Sequence, residues 1–109
     1  GVTLGAHTRN HPILTRVSPE VMRQEAIDSW EDLEREIGAI PPIFAYPSGG
    51  ANDEVVRILK QAGFELAFLT GHGINDMRKI DRLQMRRINV GQTTSLSVLR
   101  LQMRAWARA

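Results

Sequence analysis

The sequence predicts an α/β fold, a parallel sheet with covering helices, and three observations carry the prediction. Short apolar segments recur at residues 2–6, 43–46 and 66–69, each leading into a polar loop. Between them lie two longer stretches with helical apolar spacing and matching start and stop residues. Strand and helix alternating on this scale is the pattern of parallel strands joined by crossover helices. In such sheets ligands collect at the carboxyl ends of the strands. His7, Tyr46 and Thr70 all fall there, so three loops converge on one rim.

Residues 2–6 read as a short buried strand that delivers the chain into H-T-R-N-H-P at residues 7–12. His7 and His11 are four apart, and one turn of helix or a tight loop would aim both imidazoles at one point. Neutral imidazole is the commonest protein ligand for zinc and similar ions, so the pair is a candidate metal site. The spacing alone equally describes a turn with one satisfied and one exposed histidine. Ser18 then serves as N-cap, with Pro19 at the first helical position and Glu20 against the helix dipole. That helix carries Met22, Ala26, Trp30, Leu33 and Ile37 on one stripe and stops at Gly38. Seven of the twelve acids lie on it: Glu20, Glu25, Asp28, Glu31, Asp32, Glu34 and Glu36. They read as a solvated outer face rather than as a paired-carboxylate catalytic site.

Pro41-Pro42 marks a sharp entry into the second strand, and Pro47-Ser-Gly-Gly50 is the loop that leaves it. Asn52 caps a helix over residues 53–62, with Val55, Val56, Ile58 and Leu59 inward and Gly63 at its end. Asp53 and Glu54 suit the first turn of that helix through its dipole. After the third strand, T-G-H-G-I-N-D at residues 70–76 is a Gly-rich loop on the same rim. It lacks the Lys-Ser/Thr pair of a phosphate cradle, which excludes nucleotide binding of that kind. His72 in this loop is a candidate third metal ligand or catalytic acid, weighed against a plain surface histidine. Residues 86–90 read as a short fourth strand. Thr94 or Ser95 begins a last helix with Leu96, Leu99, Met103 and Trp106 on one stripe and Val98, Leu101 and Ala105 beside it.

Composition bounds the function. At 109 residues the chain is one domain, and 42% hydrophobic with 24% charged residues is ordinary globular usage. A net charge of +2 is too small to imply a nucleic-acid or membrane partner. Six arginines and no acid lie from Arg82 onward, with Arg100, Arg104 and Arg108 on one helical face. No aromatic interleaving or motif supports nucleic acid there, so the face reads as a solvated basic surface opposite a packed apolar one; docking to an acidic polymer is the competing reading. With no cysteine there is no disulfide framework and no thiolate ligand or nucleophile. No run of about 18 apolar residues exists to span a membrane.

Several of these stretches together resemble the polysaccharide deacetylases, the carbohydrate-esterase group with NodB homology. That family's second motif is H-[ST]-x-x-H-P, matched by His7, Thr8, His11 and Pro12. Its aromatic-Pro-x-Gly loop is matched within F-A-Y-P-S-G at residues 44–49. The helix end, Gly-aromatic turn and strand at residues 59–70 also resemble the family, and the likeness covers roughly residues 1–90.

The resemblance implies a partial (β/α) barrel and a metal-dependent hydrolase that removes N-acetyl or O-acetyl groups from a polysaccharide. It implies a divalent cofactor, zinc first, held by His7 and His11. Thr8 would steady the loop; Tyr46, Pro47 and Gly49 would line the substrate groove and offer backbone donors to the oxyanion. The family's first motif, Thr-Phe-Asp-Asp, supplies an aspartate ligand and the base, and it is absent here, so the base is expected upstream of residue 1. Ala45 stands where an arginine is common and Ser48 where a tyrosine is common, and no Leu-x-x-His motif follows His72. The chain therefore reads as the C-terminal portion of a deacetylase barrel, or alternatively as a shortened, non-catalytic domain that binds metal or carbohydrate. An open sheet edge predicts a homo-oligomer for the isolated chain. The family likeness makes a cell-envelope or secreted location plausible.

Overall fold

In the computed structural model, residues 1–106 are described, with side chains to Arg104. Ala105, Trp106 and Arg108, assigned above to faces of the last helix, lie outside the described side chains. Three parallel strands, β1 (Ile43–Ala45), β2 (Leu66–His72) and β3 (Met85–Arg87), form one sheet in that order. Phe44 lies opposite Ala67, Phe68 opposite Met85 and His72 opposite Arg87. On the far side of β1, Ala6 makes a single parallel bridge to Phe44. The chain thus steps one strand at a time in one direction, as in an open piece of a barrel.

Helix α1 (Pro19–Ile37) begins where the sequence predicts: the Ser18 Oγ accepts the Val21 N–H at 3.4 Å, and Gly38 ends it at φ 86°. Helix α2 (Asp53–Gln61) is capped by Asn52, whose Oδ1 accepts the Val55 N–H at 2.9 Å. Both pack on one face of the sheet. Met22 and Ala26 from α1 meet Val55, Ile58 and Leu59 from α2 over Phe44 and Ala67. Phe44 stands edge-on to Phe64 at 5.2 Å, and Phe64 meets Trp30 at 4.8 Å. Burying each such side chain contributes about 1.5–3 kcal/mol, so this cluster holds the sheet and both helices together.

The structure corrects four expectations. Residues 2–6 are not a buried strand: only Ala6 pairs, and Val2 is 89% exposed. Ala6 N–H donates to the Ile43 carbonyl and its own carbonyl accepts from Ala45, each at 2.9 Å. The next rung would need the Ile43 N–H, which instead closes a tight turn on the Pro41 carbonyl at 2.8 Å. Second, β2 runs on through Thr70, Gly71 and His72, so the rim loop starts three residues later than predicted. Third, β3 covers residues 85–87 rather than 86–90. The Asn75 side chain takes both the Arg86 N–H and its carbonyl, leaving neither for a further strand.

The last correction concerns helix α3 (Leu96–Trp106). Its apolar stripe is largely uncovered, with Leu96, Val98, Leu101 and Met103 exposed and Leu99 half-buried. Among the described residues no helix is long and apolar enough to cross a membrane.

Candidate metal site on the strand rim

His7 follows Ala6 directly, so the backbone bonds that fix Ala6 to β1 also fix where the ring starts. Its Nδ1 lies 2.7 Å from the Ala45 carbonyl oxygen. A carbonyl only accepts, so Nδ1 carries a proton, and in the neutral ring Nε2 is the nitrogen that offers a lone pair to a ligand. His11 comes back to meet it: the two ring centroids are 4.9 Å apart, with planes inclined at 65°. Of the two local geometries the sequence allowed, helix or tight loop, the loop is found. Thr8 (φ 66°) and His11 (φ 58°) both sit in the left-handed region. That conformation costs a non-glycine residue on the order of 1–3 kcal/mol and persists only where surroundings hold it. Part of the hold is internal, since the Thr8 Oγ1 accepts the His11 N–H at 3.1 Å.

The rest comes from α1. Glu25 Oε2 accepts the backbone N–H groups of Arg9 (2.8 Å) and Asn10 (2.9 Å), and its Oε1 accepts the Asn10 side-chain amide at 2.7 Å. Arg9 spreads its guanidinium over Asp32, through Nε and Nη2, and over Asp28, through Nη1. Burial pushes the Glu25 carboxyl up, but the bonds from Asn10 and Arg9 outweigh it and leave it below the usual range. Hydrogen bonds from Arg9 and then Arg35 hold Asp32 down at about 2. Three acids read from sequence as solvated are thus committed to the histidine loop. Their spacing, three and then four residues on one helical face, opposite the loop's lone arginine, was the available signal. An open cleft of about 310 Å³ lies where this face meets His7 and Thr8.

The loop after β1 is placed differently from expectation. Tyr46 is fully buried, its hydroxyl donating to the Leu83 carbonyl at 2.6 Å, and Pro47 is buried beside it. Both side chains face inward, and the phenol hydroxyl finds its acceptor there. The Tyr46 N–H donates to Phe68 and the Gly49 N–H to Tyr46, and Pro47 has none, so these three supply no oxyanion donor here. Gly49 (φ 70°) lets the loop lie against β2, where a Cβ would run into the Thr70 side chain. At the next residue, Gly50, a Cβ would run into the Ile13 side chain, so this loop lies close against the chain leaving the histidines. Ser48 is left exposed at the tip.

His72 closes β2, and its Nε2 accepts from the Asn89 side-chain amide at 2.8 Å. Among the described residues no group of three or more His, Cys, Asp or Glu is placed to hold one ion, so His72 does not complete a site with His7 and His11.

A family model described as polysaccharide deacetylase matches residues 1–67. No curated protein matches the chain. Among solved structures, the deacetylase PplD of Streptococcus pyogenes, solved with acetate, is 32% identical, with a TM-score of 0.81 over 89% of this chain and 42% of its own. A Bacillus anthracis protein assigned to the polysaccharide deacetylases is 25% identical, with a TM-score of 0.79 over 93% of this chain and 32% of its own. A polysaccharide deacetylase from Bacillus cereus is 26% identical, with a TM-score of 0.75 over 88% and 30%. The chain therefore spans less than half the length of each of these structures.

Proposed function

Because the chain belongs to the polysaccharide deacetylase family, we propose that it forms part of a metal-dependent hydrolase that removes acetyl groups from a polysaccharide. The observation that carries this is the pair of imidazoles 4.9 Å apart, one of them locked by Ala45 with its Nε2 unengaged by that bond. The donor set fits a borderline ion such as zinc: two imidazoles, with one ring oriented by a carbonyl behind it. His7 and His11 would be two of its ligands, with the carboxylate ligand and the base contributed by residues outside this chain. Zinc held there supplies a Lewis acid for the acetyl carbonyl and acidifies water toward a pKa of about 7. This chain's own part is to hold the two rings, and to shape one groove wall with the residue 46–50 loop. In that wall Tyr46 and Pro47 are buried anchors, Gly49 permits the close approach to β2, and Thr8 steadies the ligand loop. That PplD was solved with acetate, the product of such a reaction, is consistent with this reading.

The test is acetate release from N-acetylated oligosaccharides by the whole protein. Release should stop on chelation, return with added zinc, and fall about 100-fold or more in His7→Ala, since even outer-shell changes cost 10–100-fold. Metal-independent release would overturn the reading. A second reading, favoured by the lack of a third ligand among the described residues, is a non-catalytic rim that binds metal or carbohydrate. Zinc uptake without any acetate release from the whole protein would select it. The isolated chain is further proposed to self-associate through its uncovered α3 stripe, which a monodisperse monomer in sedimentation would contradict.

A further inference from the structure

We propose that Glu25 is the positioning residue of the histidine loop, holding His11 where it can share an ion with His7. The inference rests on the metal reading above but concerns a residue that makes no contact with metal or substrate. Each residue between the two histidines is tied down. Thr8 spends its hydroxyl on the His11 N–H. Arg9 and Asn10 give their N–H groups to one Glu25 oxygen, and the Asn10 side chain takes the other. These three bonds, 2.7–2.9 Å long, all end on one carboxylate. Arg9 adds a second tie to the same helix through Asp28 and Asp32.

The geometry explains why one acceptor must serve both amides. Thr8 in the left-handed region turns the next two peptide N–H groups to the same side, and two adjacent N–H groups form a concavity that fits an anion. Remove the acceptor and the left-handed residues lose what balances their strain. The loop then relaxes toward extended backbone, and the ring of His11 leaves that of His7.

Placement and charge make different predictions for variants. Glu25→Gln keeps the reach: its oxygen takes both backbone amides, and the Asn10 side chain turns over to accept from the new amide. Glu25→Asp keeps the charge but falls short by about one C–C bond, roughly 1.5 Å. Zinc titration of the whole protein by calorimetry, with a thermal melt of each variant, separates the two. Zinc affinity should fall about 10–100-fold in Glu25→Asp and in Glu25→Ala. In Glu25→Gln it should stay within about threefold of the unmodified protein. The reverse order would overturn the proposal in favour of charge, and melts lowered with unchanged zinc affinity would overturn it in favour of a purely structural role. If the unmodified protein takes up no zinc, the metal reading fails on its own. The clasp is then judged by the nuclear Overhauser contact between the two imidazoles, which must survive Glu25→Gln and vanish in Glu25→Asp; survival in both defeats it.

Discussion

Replacing Tyr46 with phenylalanine removes one oxygen and separates the two roles open to this residue, groove lining and buried anchor. The ring is 0% exposed and its hydroxyl sits 2.6 Å from the Leu83 carbonyl, in a residue itself 5% exposed. Packing is unchanged in Tyr46→Phe, so the loss is that of a buried acceptor left without a donor, about 1–3 kcal/mol. For a chain of this size that lowers the melting temperature by roughly 4–12 °C, or moves a urea midpoint by about 1 M with unchanged slope. Burial, helped by the charge of Asp81, also raises the phenol above its ordinary 10.0. The neutral form is the folded one, so this contribution is complete below pH 10 and is lost as pH rises beyond it. The variant should therefore be less stable at neutral pH and show a weaker alkaline decline. Urea unfolding at neutral and alkaline pH measures both, and KM for an acetylated oligosaccharide, in the whole protein, should not move. A loss below about 0.5 kcal/mol, or a KM shift without a stability change, would refute the anchor and return Tyr46 to the groove.

Gly49→Ala should cost about 1–3 kcal/mol, since it places a Cβ at φ 70° against Thr70; Thr70→Ala added to it should recover only the contact part, as read by urea unfolding. Acid unfolding should show a component from Asp32. Its folded value near 2 lies below its ordinary 3.8, so its stabilising effect is present above about pH 4 and is lost as pH falls toward 2. Asp32→Asn should remove that component, and molar salt should weaken it because the pair with Arg9 is partly exposed. Asn52→Ala should cost about 1 kcal/mol through loss of the Val55 cap, seen as a lower melting temperature with an unchanged zinc affinity.

What the sequence showed plainly was local. Ser18, Gly38, Asn52 and Gly63 place both helix ends because a cap acts over a few residues and needs no distant partner. The strands were less legible because a strand's length is set by its neighbour. β1 begins at Ile43 because Pro41 and Pro42 carry no N–H and the Ile43 N–H turns back onto the Pro41 carbonyl, and β2 extends to His72 because Arg87 lies alongside it. The periodic stripe of α3 is visible in sequence, yet among the described residues little packs against it. In the site, the His7 and His11 spacing was a direct motif match. Glu25, Asp28 and Asp32 were misread because their partners lie 15 to 23 residues away, and a row of acids on a helix looks the same whether it faces water or a loop.

That misreading bears on how the site is built. A histidine pair drawn from one helical turn would need no support beyond the helix itself, whereas this pair comes from a loop with two left-handed residues, one of them β-branched. Such a loop does not hold its shape by its own propensity, so the information that fixes it must sit elsewhere in the chain. Here it sits on α1, whose apolar stripe packs against the sheet that positions His7 through Ala6 and Ala45. The same rigid helix therefore sees both ends of the problem: its buried face registers it on the sheet, and its acidic face holds His11's loop at a set height above that sheet. A change that shifts α1 on the core, such as Ala26→Leu at a site with 0% exposure, should therefore disturb the His7–His11 separation even though it lies in neither loop nor rim. Overpacking of this kind costs about 1–3 kcal/mol, and a nuclear Overhauser contact between the rings that is unaffected in the folded variant would show that α1 does not set the height.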